Sequence, residues 1–104
     1  NIRIPFIAKE KEVNGHFYWI LVPKELRNKF LEKAKMNLIE LTTHFEPLHN
    51  SKGGKLYGKN YDDLNGTNKL SKEIVRFPIH TQMTKSTQKQ IFKILSKTII
   101  ECFD

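Results

Sequence analysis

Cysteine is almost missing. Cys102 is the one thiol in 104 residues, so no disulfide can close within the chain and the core rests on packing. That usage fits a reducing compartment, and a cytoplasmic location is expected. Long apolar runs are missing as well. No stretch approaches the roughly 20 residues that a membrane span needs, so no membrane partner is expected. Asn1 to Glu12 mixes charged and apolar residues and lacks the apolar centre of a signal peptide. A start at Asn1 and not at methionine suits an excised domain, and suits processing equally. Arginine is scarce: Arg3, Arg27 and Arg76 stand against fifteen lysines. Specific phosphate and base readers use arginine forks. The net charge of +7 therefore reads first as a lysine-rich solvated surface, and nucleic acid is not the expected partner.

The common catalytic signatures are also lacking. There is no H-E-x-x-H, no paired-cysteine pattern and no Gly-x-Ser-x-Gly elbow. Gly53-Gly54-Lys55 has the wrong spacing for a phosphate-binding loop, and no strand leads into it. Asp62-Asp63 is ordinary turn composition. Cys102 falls in a helical pattern, where an inert buried thiol is expected.

What remains is a folded globule, with 38% hydrophobic residues and 11% aromatics. One domain is expected over 1–104, with Asn1–Val13 as an entering segment whose apolar start is Ile2, Ile4, Phe6 and Ile7. Asn14-Gly15 supplies turn chemistry. His16 to Val22 then reads as a strand, apolar on both faces and therefore central. Pro23 ends it and pre-sets a helix over Lys24 to Met36, with Leu26, Phe30, Leu31 and Ala34 inward and Asn37 as a left-handed stop. Leu38 to Thr43 reads as a second strand, and Asn50 to Gly66 as one long polar loop. Thr67 is expected to cap a helix with Leu70, Ile74 and Val75 on its buried stripe, ended by Pro78. Thr84 caps the last helix, whose inner face is Ile91, Leu95, Thr98, Ile99 and Cys102. The fold class is α/β (α+β), a small sheet with helices packed on it.

His44 closes an apolar run at a strand end, and Pro47 fixes a bend before His49. Strand ends are where α/β proteins build sites, and imidazole can donate to a phosphate or a sugar hydroxyl. Spacing alone favours structural roles, with His44 satisfied by backbone and His49 exposed. No cysteine or carboxylate cluster completes a metal site.

Three phrases in this order carry a resemblance that spans roughly Ile4 to Ile100. They are Asn14-Gly15-His16-Phe17-Tyr18, His44-Phe45-Glu46-Pro47-Leu48-His49, and Ser71-Lys72-Glu73 running through Phe77-Pro78 to Thr84. The chain resembles the C-terminal small domain of the DegT/DnrJ/EryC1/StrS sugar aminotransferases, which depend on pyridoxal phosphate. Within that family it looks most like the dTDP-4-amino-4,6-dideoxygalactose transaminases of lipopolysaccharide and surface-polysaccharide biosynthesis. Phe77 stands where the family more often has leucine.

The resemblance implies the small-domain fold of a fold-type I aminotransferase, helping to form a homodimer. It implies a nucleotide-sugar (dTDP-sugar) substrate aminated at a 4-keto group, with glutamate as donor. It places His44, His49 and Tyr57 near the sugar or pyrophosphate, and His16 as a further candidate with an equal structural alternative. The family's Schiff-base lysine belongs to the large domain. No catalytic lysine is therefore expected in this chain, no cofactor binding is expected of it alone, and the fragment is expected to be inactive. Two other readings stay open: a stand-alone basic module for nucleic acid or another polyanion, and a structural dimerisation domain.

Overall fold

Aromatic and β-branched residues from His16 to Val22 favour extended backbone, and the strand forms at their centre. In the computed structural model, which describes residues 2–60 and 62–104, β1 is Trp19–Leu21. Asn1, the first residue of the expected entering segment, and Tyr61, inside the expected polar loop, lie outside the described residues. The order continues with α1 (Lys24–Met36), a 3-10 turn (Leu48–Asn50), α2 (Lys52–Tyr57), α3 (Asn65–Glu73), β2 (Ile74–Arg76) and α4 (Lys85–Phe103).

The two strands pair antiparallel, with Trp19 opposite Arg76, Ile20 opposite Val75 and Leu21 opposite Ile74. Single bridges extend the sheet on both outer edges, Arg3 to Leu21 and Thr42 to Arg76. β1 is thus hydrogen-bonded on both sides, as a central strand should be. Side chains alternate across a sheet. Ile20, Val22 and Val75 therefore point into the buried core with Phe30, Ala34, Leu95 and Cys102, and Tyr18, Leu41 and Phe77 pack at its border. Trp19, Leu21, Ile74 and Arg76 take the other face.

α1 and α4 cover the core face together. Lys29 and Lys33 reach from α1 to the carbonyls of Cys102 and Glu101 at 3.1 and 3.0 Å, which places cations at the negative end of α4. Thr98 is buried but satisfied: its hydroxyl donates to the Ile94 carbonyl and accepts from Asn37 Nδ2. Thr84 caps α4 by accepting from the Thr87 amide, as its sequence position indicates. Leu95, Thr98 and Cys102 form the buried stripe.

Several expected elements take other forms. Asn37 is not left-handed (φ −87°). Leu38 is, at φ 61°. The Leu38 amide donates to Lys35 and the Ile39 amide to Ala34, a Schellman ending with leucine where glycine is usual. The turn swings buried Ile39 back under the helix, and Leu38–Thr43 never becomes a strand beyond the Thr42 bridge. The second strand is Ile74–Arg76, expected as helix. Its β-branched pair Ile74-Val75 matches the register of β1, so α3 stops at Glu73, before Pro78 is reached. α3 also starts earlier than Thr67, because Asp62 and Asp63 accept from the amides of Leu64 and Asn65. The polar stretch Asn50–Gly66 is not one loop: it contains α2, capped by Ser51 accepting from the Gly54 amide. In the entering segment Ile2 reaches the core border, whereas Ile4, Phe6 and Ile7 are exposed.

Two substitutions should move stability in opposite directions. Phe30 is fully buried, so Phe30→Ala should lower the unfolding free energy by about 3–5 kcal/mol. Leu38 is 95% exposed, so Leu38→Gly removes little packing, relieves the left-handed leucine and should add up to about 1 kcal/mol. Equilibrium urea unfolding measures both.

Candidate functional site

The face of the sheet turned away from α1 and α4 gathers the side chains with chemistry. Asn14 Oδ1 accepts from the His16 amide at 3.0 Å, and Gly15 at φ +64° completes the turn that a residue with Cβ would strain. That turn launches Phe17, half-buried on the same face as Trp19. Three groups surround the Phe17 ring. His16 meets it edge-on with centroids 5.3 Å apart, His44 lies tilted at 5.5 Å, and the Arg76 guanidinium carbon sits 4.7 Å above its centroid. Phe45 continues the cluster, 5.3 Å from His44.

His44 also opens a groove of about 580 Å³ between the 44–48 segment and α3, lined by Phe45, Leu48, Leu70, Ser71 and Ile74 among others. Pro47 directs the chain away from the sheet into the 3-10 turn. His49 then bonds Asn68 on α3, Nε2 to Oδ1, at 2.8 Å, and Asn50 Nδ2 donates to the same oxygen at 3.1 Å. An amide oxygen only accepts, so in this arrangement Nε2 of His49 carries the proton. Together they fasten the wall of the groove to α3. Tyr57 ends α2 and is 88% exposed.

His16 and His44 therefore share one aromatic platform, His49 is tied to α3, and Tyr57 stands apart from these contacts. Phe17, Arg76 and Asn68 carry parts of the arrangement that sequence reasoning did not single out. Phe17 was legible from its alternation with Trp19. Arg76 was hidden because its segment read as helix, and Asn68 left no signal. Pyridoxal phosphate is held through a lysine amine, and no lysine lines the groove. Lys33, the only half-buried lysine among the described residues, is engaged with α4. The described residues do not by themselves fit that cofactor. Nor do three or more His, Cys, Asp or Glu side chains converge on a metal position among them. No helix among them is long and apolar enough to cross a membrane.

The model for the DegT/DnrJ/EryC1/StrS aminotransferase family matches residues 1–96. Among curated proteins nothing matches. Among solved structures, the aminotransferase TlmJ from Streptoalloteichus hindustanus superposes with a TM-score of 0.83 at 15% identity, over 99% of this chain and 27% of its own. A Streptococcus pneumoniae protein described as a sugar aminotransferase, in its PMP form, gives 0.70 at 19% identity, over 97% of this chain and 26% of its own. A Bacillus cereus protein described as a PLP-dependent aminotransferase gives 0.66 at 33% identity, over 88% and 25%. The chain thus spans about a quarter of the length of the structures it matches.

The wall of the groove has its own test. A Cβ at Gly54 would lie 1.7 Å from the Leu48 carbonyl oxygen, whereas one at Gly53 meets nothing within 4 Å. Gly54→Ala should therefore strip hydrogen-exchange protection from amides 48–57. Gly53→Ala should keep it and firm α2 by roughly 0.5–1 kcal/mol.

Proposed function

The chain belongs to the DegT/DnrJ/EryC1/StrS aminotransferase family, and from that membership we propose that it is the C-terminal small domain of a pyridoxal-phosphate-dependent nucleotide-sugar aminotransferase. The parent enzyme would transfer an amino group, from glutamate, to the 4-keto group of a dTDP-6-deoxyhexose. Its product would serve surface-polysaccharide synthesis in the cytoplasm, as in the dTDP-4-amino-4,6-dideoxygalactose transaminases, and the enzyme would work as a homodimer. The large domain would supply the lysine and the cofactor site, and so the transfer chemistry.

The observation that carries this reading is the position of His44, on the Phe17 platform and at the mouth of the groove at once. An imidazole there can donate to a sugar hydroxyl or a phosphate oxygen. Beside it Phe45, Leu48, Leu70 and Ile74 give an apolar wall, which suits the methyl group of a 6-deoxyhexose better than a hydroxymethyl group. The volume of about 580 Å³ is enough for one hexose ring. His16, against the same ring, would take a second polar group. His49 would act by holding the 44–48 wall in place, and Tyr57 by covering the site from α2.

In the intact enzyme, His44→Ala should raise the nucleotide-sugar KM or lower kcat, with a loss in kcat/KM of roughly 10- to 100-fold. The KM for the amino donor should move less. Steady-state kinetics with each substrate varied in turn make the test, and unchanged parameters would remove His44 from the site.

A further inference from the structure

Arg76 carries a charge to which the described residues give no counter-ion. Its backbone is fixed in the middle of the sheet, opposite Trp19 on one side and bridged to Thr42 on the other. The side chain is half-buried, and its Nε is buried without a hydrogen-bond partner among the described residues. None of the ion pairs among those residues includes it. Glu73, the acidic residue nearest in sequence, is taken by Arg3 at 3.2 Å. Arg27 makes an instructive contrast. Its Nε is also unpartnered, but its Nη1 donates to the Ser71 carbonyl at 2.7 Å, so that guanidinium fastens α1 to the end of α3. For the Arg76 side chain the only support among the described residues is the ring of Phe17, 4.7 Å below.

A cation–π contact offsets part of the desolvation of a guanidinium and leaves its donors unused. The ring holds the guanidinium over one place on the sheet, and the N–H fork of an arginine matches an anion presenting two oxygens. His16 and His44, on the same ring, add neutral or cationic donors and no competing negative charge.

We propose that Arg76 is the anion-recognition residue of this face, its fork taking two oxygens of an anionic substrate group beside His44. This rests on reading the chain as part of a nucleotide-sugar aminotransferase. Two sources then offer the same chemistry: a phosphate of the nucleotide sugar and a carboxylate of the amino donor. A lysine would retain the charge but not the flat, two-pronged geometry.

The test uses the intact enzyme and the variants Arg76→Gln, Arg76→Lys and Phe17→Leu, with circular dichroism and melting temperature reporting their fold. Calorimetry measures the affinity for inorganic pyrophosphate and for glutarate, without requiring turnover, and kinetics then give the KM of each substrate. Both Arg76 variants should weaken one probe by roughly tenfold or more, and the KM of the matching substrate should rise with it. Loss of pyrophosphate binding assigns the phosphate, and loss of glutarate binding assigns the carboxylate. Phe17→Leu keeps the guanidinium but removes its platform, and should weaken the same probe by a smaller factor. Should Arg76→Gln fail to fold, Arg76→Lys and Phe17→Leu decide. Unchanged affinities in the folded variants, or no binding of either probe to the wild-type enzyme, overturn the proposal. A protein without aminotransferase activity that still binds pyrophosphate through Arg76 would instead overturn the reading of the parent enzyme alone.

Discussion

The structure depends on one short strand being held from both sides. Trp19–Leu21 pairs with Ile74–Arg76 along one edge and with Arg3 along the other. Because side chains alternate, that double pairing fixes which residues enter the core and which are left for chemistry. A slip of one residue would put Trp19 and Arg76 against α1 and α4, and leave Ile20 and Val75 in solvent. Ile20 and Val75 are almost entirely buried, at about 1.5–3 kcal/mol for each buried side chain of that kind, so the register is strongly set.

The same alternation builds the site. Phe17 is two residues before Trp19 and so falls on the face away from the core, where Arg76 and His44 reach it from neighbouring chain segments. Leu21 is buried on this face, but the hydrophobic cluster under α1 and α4 takes none of its side chains. The face can therefore carry an arginine without a carboxylate and histidines against a half-buried aromatic, arrangements that would destabilise an interior. The groove wall is fastened separately, by His49 and Asn50 sharing the Asn68 oxygen and by the close packing of Gly54 on the Leu48 carbonyl.

Legibility in the sequence followed the strength of local signals. α1 and α4 were readable because their apolar spacing is helical and Pro23 and Thr84 mark their starts. β1 was readable from its run of aromatic and β-branched residues. Ile74-Val75-Arg76 was not, since three residues continuing a helical pattern become a strand only by pairing with β1, a partner more than fifty positions away in sequence. Leu38 misled for a related reason: a leucine gives no hint of a left-handed turn, and burial of Ile39 imposes it. His44 was legible as a candidate through a phrase resembling a known family. His16 was a candidate in the same way, but Arg76 on the same ring was not, because contacts across a sheet are set by register and not by spacing along the chain.

On the proposed function, the face opposite the core is one wall of a nucleotide-sugar site. The most direct test is a crystal structure of the intact protein with a dTDP-6-deoxyhexose bound. The sugar should lie in the groove between residues 44–48 and α3, with the His44 ring within hydrogen-bonding reach of a sugar or phosphate oxygen. A ligand seated elsewhere, with His44 and Phe17 facing only solvent or protein, would contradict that function.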